Sequence, residues 1–183
     1  MNYVIAGLGN PGKEYEGSRH NVGRELLAQI EAKEGSGKSL FGKKVIILYP
    51  DVYMNNSGGP IKKAVTSKKA AEGLIVIHDE LDVPLGKVKV SFGSGAGGHN
   101  GVRSVEKALK TADYIRIRVG ISPSTPSGKL KRPDAEKIGD FVLGTFRPPE
   151  KEKLKKVKKL VSEAIELILT EGKDRAMTEI NAR

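Results

Sequence analysis

Apolar positions along this chain come in two alternating kinds of run. Residues 2–8 form a short apolar run that stops at glycines, and they predict a strand. Over residues 20–34, Val22, Leu26, Leu27 and Ile30 recur at helical spacing. Val45, Ile46, Ile47 and Leu48 stand in a row within a second strand expected over Lys44–Tyr49. Such a row predicts a strand buried on both faces of a parallel sheet. A short helix follows, with Pro60 near its first turn and Ile61 and Val65 facing inward. Leu74–Ile77 is a third buried run. Val88, Val90 and Phe92 alternate within residues 87–92, the pattern of a strand half open to solvent. Val102, Val105 and Leu109 mark another helix. Ile115, Ile117 and Val119 then point one way, with Arg116 and Arg118 the other. A long helix over about residues 148–172 carries Leu154, Val157, Val161, Ile165 and Ile168 on its buried stripe.

Alternating strands and helices predict an α/β fold, one mixed and mostly parallel twisted sheet with helices on both faces. With 183 residues, a single domain over residues 1–183 is the default. A loop is expected at Ser36 and Gly37. A mobile basic loop is expected at 122–134, where three prolines, three serines, two lysines and an arginine gather. Six lysines between Lys151 and Lys159 read as a solvated helix face.

Composition narrows the chemistry. There is no Cys, which excludes a disulfide scaffold, a thiolate metal site and a Cys nucleophile. The first residues carry no basic region of the kind that opens a signal peptide. No apolar stretch approaches the ~20 residues that span a bilayer. A cytoplasmic protein without membrane contact is therefore expected. The net charge is +10. From Lys87 to Arg132 there are ten basic residues against two acidic ones, Glu106 and Asp113. A local excess of that size suits a polyanion, and nucleic acid above all.

Two phosphate-binding patterns are dismissed. Gly7-x-Gly9-x-x-Gly12 matches the dinucleotide fingerprint, but Pro11 and Lys13–Ser18 delay the helix that must open at once. Ala32-x4-Gly37-Lys38-Ser39 has a helix before it and a strand after it, the reverse of a phosphate-binding loop. There is no G-x-S-x-G elbow for a nucleophilic serine.

In an open α/β sheet, ligands bind beyond the carboxyl ends of the strands. Those ends are polar throughout: Asn10 and His20, then Tyr53, Met54, Asn55 and Asn56, then His78-Asp79-Glu80-Leu81-Asp82, then Gly97-Gly98-His99-Asn100-Gly101. One reading makes His20 a general base, with Asp79 fixing its tautomer. Water is then the nucleophile, and Asn10 or a backbone N–H polarises a carbonyl or holds that water. Blander roles stand beside it. Asn10 before Pro11 suits a turn, Asn55 and Ser57 suit a helix cap, and His99 between glycines needs no chemistry. Asp79, Glu80 and Asp82 would suit a hard metal and a phosphoesterase, although strand alternation turns Asp79 and Glu80 apart.

The blocks also carry a resemblance. Gly7-Leu-Gly-Asn-Pro-Gly12, Tyr15 and Ser18-Arg-His-Asn-Val-Gly23 resemble the opening of bacterial-type peptidyl-tRNA hydrolases. Tyr53-Met-Asn-Asn-Ser-Gly58, His78-Asp-Glu-Leu-Asp-Val-Pro84, Gly97-Gly-His-Asn-Gly101, Arg116-Ile-Arg-Val-Gly-Ile121 and Gly139-Asp-Phe-Val-Leu-Gly144 resemble that family's other blocks, in the same order. The similarity runs from residue 2 to about 146. It implies hydrolysis of the ester between a peptide and the 3′ end of tRNA, with no cofactor and no metal. It implies His20 as the base, Asp79 as its partner, and Asn10, Asn55 and Asn100 on the peptide, the water and the tRNA terminus. Tyr15, Tyr53 and Met54 would line the cleft. A basic pair would grip tRNA phosphate. Arg118 matches one member, and Ser91 stands where the lysine partner is expected, so Lys89 on the same strand face is the substitute. Ser18 replaces the usual threonine, Val52 and Asn56 depart from the usual residues, and the segment after the first helix is short. The partner implied is peptidyl-tRNA, gripped at the acceptor stem and 3′ end by a monomer. The competing expectation is a non-catalytic RNA-binding relative of the same fold.

Overall fold

The computed structural model of the chain describes residues 2–35 and 38–183, so the loop expected at Ser36 and Gly37 lies outside the described residues. The strands are β1 (Tyr3–Gly7), β2 (Ser39–Leu40), β3 (Lys43–Leu48), β4 (Leu74–Pro84), β5 (Val88–Phe92) and β6 (Ile115–Ser122). The helices are α1 (Val22–Glu34), α2 (Gly58–Ala64), α3 (Lys68–Ala71), α4 (Asn100–Leu109), α5 (Ile138–Leu143), α6 (Pro148–Glu171) and α7 (Lys173–Asn181). The sheet runs β2-β3-β1-β4-β6-β5. The four strands β3, β1, β4 and β6 are parallel, and antiparallel strands close both edges. This is a single-domain α/β fold with a mixed, mostly parallel sheet.

Strand alternation sorts the side chains into two cores. Ile5, Ile75, Ile77, Ile115 and Ile117 face α1, α6 and α7, and meet Leu27, Val161, Ile165 and Ile180. Val4, Ala6, Leu74 and Val76 face α2 and α4, and meet Ile61, Val102, Val105 and Leu109. Each fully buried Val, Leu or Ile contributes about 1.5–3 kcal/mol of transfer free energy.

β3 corrects one expectation. It is not buried on both faces: Val45 is covered, but Ile46 is 50% exposed. The helices on that side cover Val4 and Ala6 of β1 and do not extend over Ile46. The short β2, α3, α5 and α7 lay outside the pattern reading. The free edge of β5 is plugged by a side chain of α7: Asn181 accepts the Val90 N–H (2.7 Å) and donates to the Val90 carbonyl (2.9 Å). An unpaired edge is thereby closed without another strand.

The four parallel strands also aim their carboxyl ends at one region, whereas antiparallel β5 runs away from it and the chain returns through residues 97–100. β4 stays buried through Glu80, which brings three acidic residues to the sheet's rim. Gly23, in the first turn of α1, lies against β4, where a methyl group would run into the carbonyl oxygen of Ile77. That close approach brings the residues just before α1 to the end of β4.

Candidate active site

His20 lies in a short 3-10 turn, Arg19–Asn21, immediately before α1. Its Nδ1 is 2.9 Å from Asp79 Oδ2 and 3.0 Å from Oδ1. The Asp79 side chain is buried, and that of His20 is 13% exposed. A second imidazole reaches the same carboxylate, with His99 Nε2 2.7 Å from Asp79 Oδ1. The other nitrogen of His99 accepts the backbone N–H groups of Gly101 and Val102, so His99 caps the N-terminus of α4. Two N–H donors require a lone pair on Nδ1. The His99 proton is therefore on Nε2, pointed at Asp79.

The consequence passes to His20. A buried carboxylate takes N–H donors, so His20 presents Nδ1–H to Asp79 and keeps its Nε2 lone pair. Burial by itself would push the Asp79 carboxyl up. The imidazoles of His99 and His20 outweigh it and hold that group far below the usual carboxylate range. The site is thus an ionised carboxylate under two imidazoles, with one lone pair aimed away from it.

His78 lies beneath His99, fully buried. Its ring packs edge-on to His99, centroids 4.8 Å apart, and its Nδ1–H donates to the Asp79 carbonyl (2.7 Å). Complete burial, then His99 and Arg116, push its pKa well down, so it stays neutral.

Asn10 is fixed by two segments. Its backbone N–H donates to Asn21 Oδ1 (2.8 Å), and Asn21 Nδ2 donates back to its carbonyl (2.9 Å). Asn10 Oδ1 accepts the N–H of Met54 (2.7 Å). That bond settles the amide's orientation and leaves Nδ2 as a donor with no partner among the described residues. Met54 itself is a core side chain, and it touches the site through that N–H. Tyr15 and Tyr53 meet edge to face at 6.2 Å, with Tyr53 55% exposed. Asn55 and Asn100 are exposed. Neither Asn55 nor Ser57 caps α2 with its side chain. Ser57 Oγ instead donates to the Met54 carbonyl.

His20, Asp79, His99 and Asn100 line a cavity of about 330 Å³ with Gly97 and Gly98 on one side and Arg132, Ile138 and Val142 on the other. Arg19 braces that second wall. Its guanidinium binds Glu150 of α6 (3.0 Å) between the rings of Phe141 and Phe146, and its N–H donates to the Gly144 carbonyl.

The three acidic residues of β4 go to different partners, which leaves no shared site for the competing hard-metal reading. Asp79 holds imidazoles, Glu80 binds Arg118 Nε (2.9 Å) and Asp82 binds Arg132 (2.5 Å). The grouping with metal-ligand geometry among the described residues is His20, Asp79 and His99, whose ligand atoms lie within 4.8 Å. Its protonated nitrogens suit hydrogen bonds to Asp79 better than an ion. On the far side of Glu80, the β5–β6 register sets Lys89 opposite Arg118 and Ser91 opposite Arg116. Ser91 Oγ is buried and unpaired. Lys89 and Arg118 stand outside the lining of the His20 cavity.

Arg19 and Arg132 escaped the sequence reading as site residues, and two others were given different parts: His99 was read as needing no chemistry, and Glu80 only as one of a hard-metal set. For His99 a signal existed in Gly97-Gly-His-Asn-Gly101, where only a histidine offers both an acceptor for a helix N-terminus and a donor for a carboxylate. Arg132 gave none, because its partner is fifty residues away.

Known proteins share this sequence and fold. Residues 4–183 match the family model described as peptidyl-tRNA hydrolase. A peptidyl-tRNA hydrolase of Carboxydothermus hydrogenoformans is 38% identical, with 98% of each chain covered. One of a Geobacter species is 39% identical, also over 98% of each. The crystal structure of peptidyl-tRNA hydrolase from Acinetobacter baumannii superposes with a TM-score of 0.84 at 29% identity, covering 99% of this chain and 95% of that one.

Proposed function

The chain belongs to the peptidyl-tRNA hydrolase family and hydrolyses the ester between a peptide and the 3′ end of tRNA; we propose that it does so with a water activated by His20. His20 Nε2 takes one proton from the water as the oxygen attacks the ester carbonyl. Asp79 steadies the imidazolium through Nδ1–H. Asn10 Nδ2 is the donor that meets the developing oxyanion or holds the water. The intermediate collapses with cleavage of the carbonyl–ribose oxygen bond. His20 returns its proton to the ribose oxygen, leaving a free peptide carboxyl and a tRNA hydroxyl. The observation that carries this reading is the pair of hydrogen bonds on Asp79, which directs the His20 lone pair away from the carboxylate.

Asn55 and Asn100, exposed at the strand ends, are the groups that hold the peptide and the tRNA terminus. Tyr15 and Tyr53 flank the same region. Lys89 and Arg118 form the phosphate-binding pair. Their direct opposition supports it, as does the engagement of Arg118 with Glu80 through Nε alone, which keeps both Nη groups for an anion. No helix among the described residues is long and apolar enough to cross a membrane. The reading extends to a monomer working in the cytoplasm on the acceptor stem and 3′ end.

The test is release of labelled N-acetyl-aminoacyl groups from tRNA, in EDTA, by the wild type and by His20→Ala. His20-dependent release that ignores EDTA is the expected result. Turnover by His20→Ala near the wild-type rate would remove His20 from its role.

A further inference from the structure

The cavity beside His20 is lined by a guanidinium that takes no part in the steps above. Arg132 lines it and is bound to Asp82 at 2.5 Å. This ion pair is exposed, at 42% and 45% for the two side chains, whereas Arg118 and Glu80 are at 26% and 6%. A pair so open to water contributes little, and a better anion displaces the carboxylate readily. The arginine, by contrast, is delivered from a braced loop. Ser124 and Leu130 form a β-bridge, Thr125 N–H donates to the Lys129 carbonyl, and Lys131 N–H donates to that of Pro123.

The scissile ester is neutral in its ground state, and the oxyanion that develops on it has Asn10 as its donor. The nearest charges on such a substrate are the phosphodiesters of its 3′-terminal nucleotides, the first of them on the very ribose that bears the ester. A planar guanidinium matches a phosphodiester with two parallel hydrogen bonds. We propose that Arg132 is a substrate-binding residue that exchanges Asp82 for a phosphodiester at the tRNA 3′ end, and that Asp82 is the internal competitor for that site. The identity of the nucleic acid rests on the reading above; the exchange itself rests on the exposed pair in the cavity wall.

Exchange predicts effects of opposite sign, read by equilibrium binding of deacylated tRNA. Arg132→Ala weakens binding about tenfold, the scale of one charge-assisted contact. It also flattens the salt slope by roughly one phosphate's worth, about 0.7–0.9. Asp82→Asn tightens binding about threefold, the scale of an exposed ion pair. The double variant binds like Arg132→Ala. Asp82→Asn that leaves binding unchanged or weaker would overturn the proposal. So would a tightening that persists without Arg132, because Asp82 would then be only a repelling charge. Opposite-sign binding effects in a protein that releases no peptide would leave the exchange standing and defeat the His20 reading instead.

Discussion

Asp79 and Asp82 are three residues apart on one strand, and the molecule treats them in contrary ways. Asp79 is buried, shared by two imidazoles, and each of those is fixed again by a backbone contact or a turn. Asp82 is 45% exposed on its side chain and holds one arginine of a loop. Burial makes the first pairing a permanent part of the site, because a carboxylate stripped of water keeps whatever donors it has. Exposure makes the second exchangeable. Chemistry belongs to the floor of the cavity and affinity to its rim, so floor variants should lower kcat and rim variants should move KM.

The largest effect is expected from His20→Ala, which should lower kcat by about a thousandfold, as loss of a general base does, with the fold retained. Asp79→Asn should follow closely, at about a hundredfold or more, because an amide turned to donate toward His20 spoils the tautomer. A KM effect in place of the kcat effect would erase the distinction between floor and rim. His99→Ala should cost about tenfold or more in kcat, the range for residues that orient another ligand. His99→Gln restores part of it if positioning is the role, because an amide can still donate to Asp79. Arg118→Ala should raise KM about tenfold, the low end for one charge-assisted contact, and reduce the salt slope. An unchanged slope would take Arg118 out of the phosphate-binding pair.

The smallest effect is on stability and sharpens the same contrast. The Asp79 carboxyl is held below its ordinary range, so it contributes stability above about pH 4 and loses it as pH falls further. Between pH 7 and pH 3 the urea midpoint of the wild type should fall more than that of Asp79→Asn. Equal falls would mean that the buried carboxylate is not linked to folding. Asp82→Asn should follow the wild type.

The legibility of the chain follows the same division. Consecutive apolar residues marked β1 and β4, because strands covered by helices on both faces need little else, and alternation marked β5 and β6. The same rule misread β3, since a row of four apolar residues does not say how far the covering helices reach. α7 was silent because two residues, Ala176 and Ile180, are its buried anchors. In the site, His20 and Asp79 were legible as a pair because their residue types and strand-end positions suffice. His99 was not, because its part depends on which ring nitrogen caps α4, a property of the loop's path. Arg19 and Arg132 were out of reach, since each finds a carboxylate that only the tertiary fold brings near.

The protonation pattern at Asp79 is where the account is most exposed, and histidine ¹⁵N NMR at neutral pH reads it directly. Two-bond nitrogen–proton couplings should show His99 protonated on Nε2 and His20 on Nδ1, with His20 Nε2 resonating as an unprotonated nitrogen. His20 protonated on Nε2 instead would leave it no lone pair toward the water and would contradict the mechanism at its first step.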